Sequence, residues 1–377
     1  MTDYISIRKA LHEHPQTAGC EQFAHDMIVE HLQSLHPTKV YTHVGGYGVI
    51  AVWEAKDPNN QTITQSSIPT IAFRADTDAL PIGHRCGHDG HTTILLRLAE
   101  LIDTATLNTE HSTLNTKSNI LLLFQPAEET GTGSRAVLDT GILQQYNIKA
   151  FYALHNLPGY PLGTVVLCPH TFAAASTGVV YHLDGRETHA STPELGINPG
   201  LAIAEIINRF NGFNEPLEQS SIQAFRQSTL ICVNVGQPAF GTSAGHGEVM
   251  FTLRAFTNSE MERLLADANS AVDEIAARYN LKVSRSLVEP FRATENNPEC
   301  VENIKAAAQL STQHSALNTK ETPFRWSEDF AEYLLEFKGA MFGIGSGEHQ
   351  PELHHPSYDF PDDLIEPAAQ LFFLLAQ

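Results

Sequence analysis

Through the first 172 residues, short apolar runs alternate with stretches of helical periodicity. Residues 20–35, "CEQFAHDMIVEHLQSL", carry Phe23, Met27, Ile28, His31 and Leu32 at helical spacing and predict a helix. "GVIAVWEA" (48–55), "TIAFRA" (70–75), "NILLLFQ" (119–125) and "KAFYALH" (149–155) predict strands, the last three buried, and "TTILLRLAELID" (92–103) predicts a helix between two of them. Strand, helix, strand with nearly continuous apolar runs marks a largely parallel sheet covered by helices. The polar stretches 57–67 and 104–119 read as surface connections, and the near-repeat of "HSTLNTK" (111–117) as "HSALNTK" (314–320) reads as coincidence rather than repeat architecture.

Beyond residue 172 the pattern changes. Strands at 177–185, 229–236 and 248–256, with helices at 199–213 and 259–280, fit a small antiparallel sheet with two helices on one face. Helix 297–311, strand 339–345 and helix 362–376 then restore the first texture. The predicted fold is therefore α/β: a first domain around a mixed sheet with a mostly parallel core, and an inserted α+β, ferredoxin-like domain. The predicted segments are 1–172 and 291–377 for the first domain and 173–290 for the insertion.

Composition narrows the class. A chain of 377 residues exceeds what one hydrophobic core usually serves, which agrees with two domains. Five scattered cysteines (Cys20, Cys86, Cys168, Cys232, Cys300) form no disulfide framework. A formal charge of −20 argues against nucleic acid as a partner. No apolar run reaches the length of a membrane span, and "MTDYISIRKALHEHPQ" lacks a leader's apolar stretch, so a cytoplasmic protein is expected.

Polar clusters follow the predicted strands. Asp76 and Asp78 follow the strand at 70–75, Glu128 and Glu129 follow 119–125, His155 closes 149–155, and His354 and His355 come after 339–345. Ligands of open α/β sheets bind at the carboxyl ends of the strands. "HRCGHDGHTT" (84–93) adds His84, Cys86, His88, Asp89 and His91 just before a helix. It admits three readings: a metal site, a thiol nucleophile with a histidine base, or a polar loop. Cys86 and His88 are two apart, so in extended backbone they would point the same way, onto one ion. A metal site employs all the clusters, whereas a thiol nucleophile leaves the carboxylates without a role.

"RADTDALPI", "CGHDGHTTILL", "FQPAEETGTGSRAVLDTGIL", "ALHNLP", "GRETHASTPELGINP", "RWSEDFAEYL" and "LHHPSYDF" together resemble the di-metal aminoacylase and carboxypeptidase superfamily. The similarity is greatest to its N-acyl-amino-acid amidohydrolase branch, with the hippurate and auxin-conjugate hydrolases. The resemblance runs in order over nearly the whole chain. It implies a catalytic domain around a dimerisation (lid) domain, a homodimer, and two divalent ions per subunit.

Carried over, the resemblance makes Cys86 the bridging ligand, His88 and Glu129 its partners on one ion, and His155 and His354 ligands of the other. Glu128 would be the general base. Adjacent residues point apart in extended backbone, so Glu129 would hold metal while Glu128 faces a water. Asp76 and Asp78 would orient the ligands, and Ser327, Glu328 and Asp329 would support the rim, although Ser327 also fits a helix cap. His189 would serve the partner subunit's oxyanion, and Arg254 would receive the substrate carboxylate with a bidentate fork. Such a Cys/His/Glu set suits Zn²⁺ and also admits Mn²⁺, Co²⁺ or Ni²⁺. Two departures bear on specificity: Gly241 stands where the family carries asparagine, and only Gly83 separates "ALPI" from His84. The expected function is amide hydrolysis of N-acyl amino acids or related conjugates. A dipeptidase or carboxypeptidase of the same fold, and a non-catalytic metal- or amide-binding member, are the alternatives.

Overall fold

The computed structural model describes residues 2–55, 68–107, 118–214, 225–311 and 316–377; the predicted connection 57–67 and the first near-repeat, 111–117, lie outside them. Two compact units divide the chain: Met1–Phe172 with Thr294–Glu321 and Asp329–Gln377, and Ala173–Ala293 with Thr322–Glu328. Residues 322–328, which the sequence pattern grouped with the second catalytic segment, thus pack with the inserted one.

The first unit begins with α1 (Tyr4–Glu13), α2 (Gln22–Gln33), β1 (Lys39–Val44), β2 (Gly48–Trp53), β3 (Pro69–Asp76) and α3 (His88–Leu107). It continues through β4 (Asn119–Gln125), α4 (Gly133–Asp139), β5 (Asn147–Pro158) and β6 (Val165–Leu167). The second unit holds β7 (Ala175–Asp184), β8 (Thr188–His189), α5 (Gly200–Asn211), β9 (Arg226–Val235), β10 (Thr242–Ser243), β11 (His246–Ala255), α6 (Asn258–Arg278) and β12 (Lys282–Phe291). The chain then returns with α7 (Pro298–Leu310), β13 (Leu317–Thr319), β14 (Gly339–Gly347) and α8 (Ile365–Leu375).

Among the described residues the first unit builds one eight-stranded sheet, ordered β1-β2-β4-β3-β5-β14-β6-β13. Its centre, β4-β3-β5-β14, is parallel, and antiparallel pairs join β1 to β2, β2 to β4, and β14 to β6. The mixed sheet with a parallel core is the one the apolar runs predicted. Every residue of β4 is buried, because both faces are covered. On one face Phe73, Leu122 and Phe124 join Leu95, Leu98, Ile304, Leu371 and Phe372 from α3, α7 and α8 in the core. Elsewhere in this unit Phe151 of β5 packs at 5.4 and 5.0 Å from the rings of Phe330 and Tyr333, which lie on the short helix Asp329–Leu335.

The second unit has the order β12-β7-β11-β9, antiparallel throughout. With α5 and α6 this is the β-α-β-β-α-β arrangement of ferredoxin-like folds. Alternation sets its core: Val179, Tyr181, Leu183, Val249, Phe251 and Leu253 point one way, against Ile206 and Phe210 of α5 and Leu264 and Val272 of α6. β12 escaped the sequence pattern because it is an edge strand, mostly exposed, with no apolar alternation to betray it. Among the described residues no helix is long and apolar enough to cross a membrane, and all five cysteines are free.

Candidate metal centre

Cys86 and His88 converge, but not through extended backbone. Gly87 between them has φ +97°, a left-handed conformation, and His88 is already the first residue of α3. A Cβ on Gly87 would lie 2.6 Å from Asn156 Oδ1, so this glycine meets both the turn and a close neighbour. The loop before it is closed early: Gly83 N–H donates to Leu80 O at 2.9 Å, which accounts for the short connection into His84. His88 Nδ1–H donates to the main-chain oxygen of Asp78 at 2.9 Å, which fixes the ring and leaves Nε2 to face Glu129 Oε1.

The glutamates likewise sit in a turn rather than an extended segment. After β4 the chain passes Pro126 and Ala127, whose φ is +54°, before Glu128 and Glu129. Asp78 holds this turn. Its two carboxylate oxygens each accept a main-chain N–H, from Glu128 and from Glu129, both at 3.0 Å. Asp78 therefore supports the site twice, its carbonyl orienting His88 and its carboxylate clamping the glutamates. Gly133 closes the turn, since a Cβ there would meet Pro126 O at 1.7 Å.

Cys86, His88 and Glu129 bring three ligand atoms within 4.8 Å of one another. Glu129 Oε1 is buried and has no hydrogen-bond partner among the described residues. It faces His88 Nε2 at 4.0 Å and His354 Nε2 at 3.9 Å. His354, with φ +67°, is held by its N–H donating to Arg85 O at 2.8 Å. The His155 ring lies 6.1 Å from that of His88, and its Nδ1–H donates to Asn156 O at 2.9 Å, which leaves Nε2 with the lone pair. Asp76 engages His91, a histidine outside the expected ligand set. It accepts from His91 Nδ1 at 2.6 Å and stands 3.6 Å from His88 Nε2. His91 Nε2 in turn meets Asn156 Oδ1 at 2.6 Å, so both nitrogens of His91 are engaged. Asp76, His88 and His91 form a second close group; the spacing of His88 and His91, three apart on a helix, was its only sequence signal.

The electrostatics ask for positive charge. Burial by itself lowers the His88 pKa, yet Asp76, Cys86 and Asp78 overcome it and hold the imidazole well above its usual range. Burial raises Asp76, but His88, Arg74 and His91 drive its carboxyl well below the usual value. Burial pushes the Cys86 thiol up, so it becomes a thiolate only beside a strong cation. Burial, reinforced by His91, keeps His155 well below the usual range and therefore neutral, as a ligand must be. A soft sulfur, the neutral imidazole of His155 and an orphaned buried carboxylate oxygen fit a divalent cation, which would take the place of the proton on His88.

The remaining predicted residues belong to the second unit. His189 pairs with Thr242 in the two-stranded ribbon β8–β10 and is exposed. Ser191 N–H donates to His189 Nδ1 at 3.1 Å, which leaves Nε2–H as an outward donor. Arg254 Nη1 donates to Arg325 O at 2.7 Å and to Ser327 Oγ at 3.1 Å. Ser327 thus braces an arginine. Burial lowers the Arg254 pKa, and among the described residues no carboxylate pairs with it. Gly241 O accepts from Ala190 N–H at 2.9 Å, and a Cβ on Gly241 would find open space.

Residues 72–377 match the family Peptidase M20/M25/M40. The chain belongs to that family. It is a hydrolase of amide C–N bonds. The M20 chain is 27% identical to an N-acetyldiaminopimelate deacetylase of Lactobacillus acidophilus, over 96% of this chain and 93% of that one. It is 26% identical to an N-acetylcysteine deacetylase of Bacillus subtilis, over 100% and 96%. A solved dinuclear metal-binding peptidase of the M20 family from Bacillus subtilis superposes with a TM-score of 0.79 at 25% identity, covering 99% of this chain and 96% of that one.

Proposed function

We propose that this M20 hydrolase is a cytoplasmic homodimer that cleaves the amide of N-acyl amino acids, with two divalent ions per subunit. Glu129 Oε1 carries the reading: it is a buried carboxylate oxygen without a hydrogen-bond partner among the described residues, facing two imidazole nitrogens beside Cys86. Cys86, His88, Glu129, His155 and His354 would hold the ions. When bound, they supply positive charge that polarises the scissile carbonyl and lowers the pKa of water toward about 7. The chain's own groups do the rest. Glu128 takes a proton from the attacking water onto a carboxylate oxygen and passes it to the leaving amine nitrogen. Asp78 keeps Glu128 and Glu129 in register through their N–H groups. His189 of the partner subunit offers Nε2–H to the oxyanion. Arg254, a partly buried cation without a carboxylate partner, receives the substrate carboxylate. Gly241 gives it no help, because it has no side chain.

The two deacetylases above are named for removing acetyl groups, so acetyl conjugates head the list of substrates. The test is a panel of N-acetyl and N-benzoyl amino acids and dipeptides. Metal-free protein is assayed, then reloaded with Zn²⁺, Mn²⁺, Co²⁺ or Ni²⁺, with metal content measured. N-acyl amino acids should turn over only after reloading. Preference for dipeptides would make the protein a dipeptidase, and full activity without metal would revive the cysteine nucleophile.

A further inference from the structure

Arg74 is among the largest fully buried side chains of the described residues. It lies on β3 two residues before Asp76, on the same face of the strand. Each nitrogen of its fork has a different acceptor. Nε donates to Gln125 Oε1 at 3.0 Å, Nη1 to Asp76 Oδ2 at 2.6 Å, and Nη2 to Asp329 Oδ1 at 3.0 Å.

Those acceptors lead to two different parts of the candidate centre. Asp76 carries His91 at 2.6 Å and stands 3.6 Å from His88. Asp329 and Gln125 govern the glutamate turn. Gln125 Nε2 donates to both Asp329 oxygens at 2.8 Å, and Tyr333 O–H donates to Gln125 Oε1 at 3.0 Å. The Asp329 carboxylate accepts from Ser134 N–H at 2.9 Å just beyond the turn, and its own N–H points at Glu128 Oε1 at 3.4 Å. One planar cation therefore joins the histidine side of the site to the side that carries Glu128.

We propose that Arg74 is a positioning residue: its fork sets Asp76 and Asp329 at a fixed mutual angle and thereby aligns Glu128 for proton transfer without touching substrate. The link to catalysis rests on the function proposed above; the brace itself does not. A guanidinium suits this place because it stays charged at every working pH and its donors diverge in one plane. Lysine keeps the charge but has one nitrogen, which cannot hold three diverging acceptors in that geometry.

The test uses Arg74→Lys, Asp329→Asn and the double variant in the full chain. In metal-free protein, followed by hydrogen exchange, Arg74→Lys should speed exchange across residues 125–134, including Ser134, and leave α3 at its wild-type rate. A uniform rise over the whole first unit, or no change at 125–134, overturns the brace. In metal-loaded enzyme of wild-type metal content, kcat should fall about 10- to 100-fold, the scale of a small misplacement of reacting groups, with KM within about threefold. The double variant should lose less than the product of the two single losses, because Arg74 and Asp329 share a contact. A kcat within twofold of wild type, a loss that tracks lost metal, or losses that multiply would each overturn the catalytic role. If Arg74→Lys does not fold, Asp329→Asn decides by the same exchange pattern and the same split between kcat and KM. A wild-type enzyme that cleaves no N-acyl amino acid sinks the proposed function and leaves the exchange result to judge the brace.

Discussion

Glu128 and Glu129 are neighbours with different surroundings. Both N–H groups are tied to Asp78, while Glu129 Oε1 faces His88 and His354 and Glu128 Oε1 faces the Asp329 N–H. Glu128→Gln should therefore keep metal content and fold and lose turnover, by about 10²- to 10⁴-fold for a general acid–base group. Glu129→Gln should lower metal occupancy first, with activity following. Elemental analysis beside kcat separates the two, and the opposite pattern would exchange their roles. At this scale residue types were legible: Cys86, His88 and Glu129 are chemically suited to metal, and the chain brings them together. Arg74 was not legible, because a lone arginine inside "TIAFRA" looks like any strand charge until its three acceptors converge on it.

Elements carry their own liabilities. His31 on α2 packs edge-on against Tyr4, ring centroids 5.8 Å apart, and its Nε2 is buried without a hydrogen-bond partner among the described residues. Burial lowers its pKa from the ordinary 6.5. The folded protein then binds fewer protons at His31 than the unfolded chain, so stability falls as pH drops below about 6.5 and is unaffected above it. His31→Gln should lessen that acid loss. Denaturant unfolding at pH 7.5 and at pH 5 checks this: the variant should gain relative to wild type only at pH 5, and an equal difference at both would remove burial of the imidazole as the cause. Element identity was clearest where burial leaves a continuous apolar run, as in β4, or an alternation, as in β11. It was least clear at β12, whose exposed edge leaves no period to read.

At the scale of the assembly the proposal for His189 has a direct test. Glu128→Gln and His189→Ala chains should each be nearly inactive alone. In a mixed pair related by a two-fold axis, the site with wild-type Glu128 receives wild-type His189 from its neighbour, and the other site receives neither. Random 1:1 mixing makes about half of the dimers heterodimers with one working site each, so activity should return to roughly a quarter of wild type. Subunit exchange, verified with differently tagged chains, must accompany the assay. No recovery after verified exchange would place His189 in its own subunit's site.

What the sequence determined by itself was order and chemistry. Continuous apolar runs specify strands buried on both faces, alternation specifies the one-sided sheet of the second unit, and ligand-type residues fall after parallel strands, where such sheets bind. Tertiary structure decided how those residues meet. The left-handed Gly87, the turn at Ala127 clamped by Asp78, and the pairing of Asp76 with His91 all depend on neighbours distant in sequence. So does the placing of Asp329, 255 positions from Arg74, on the third arm of a buried guanidinium. Local pattern records what each side chain can do. Which buried donor finds which acceptor is settled only when separate segments pack, because a buried polar group must be satisfied by whatever the fold brings beside it.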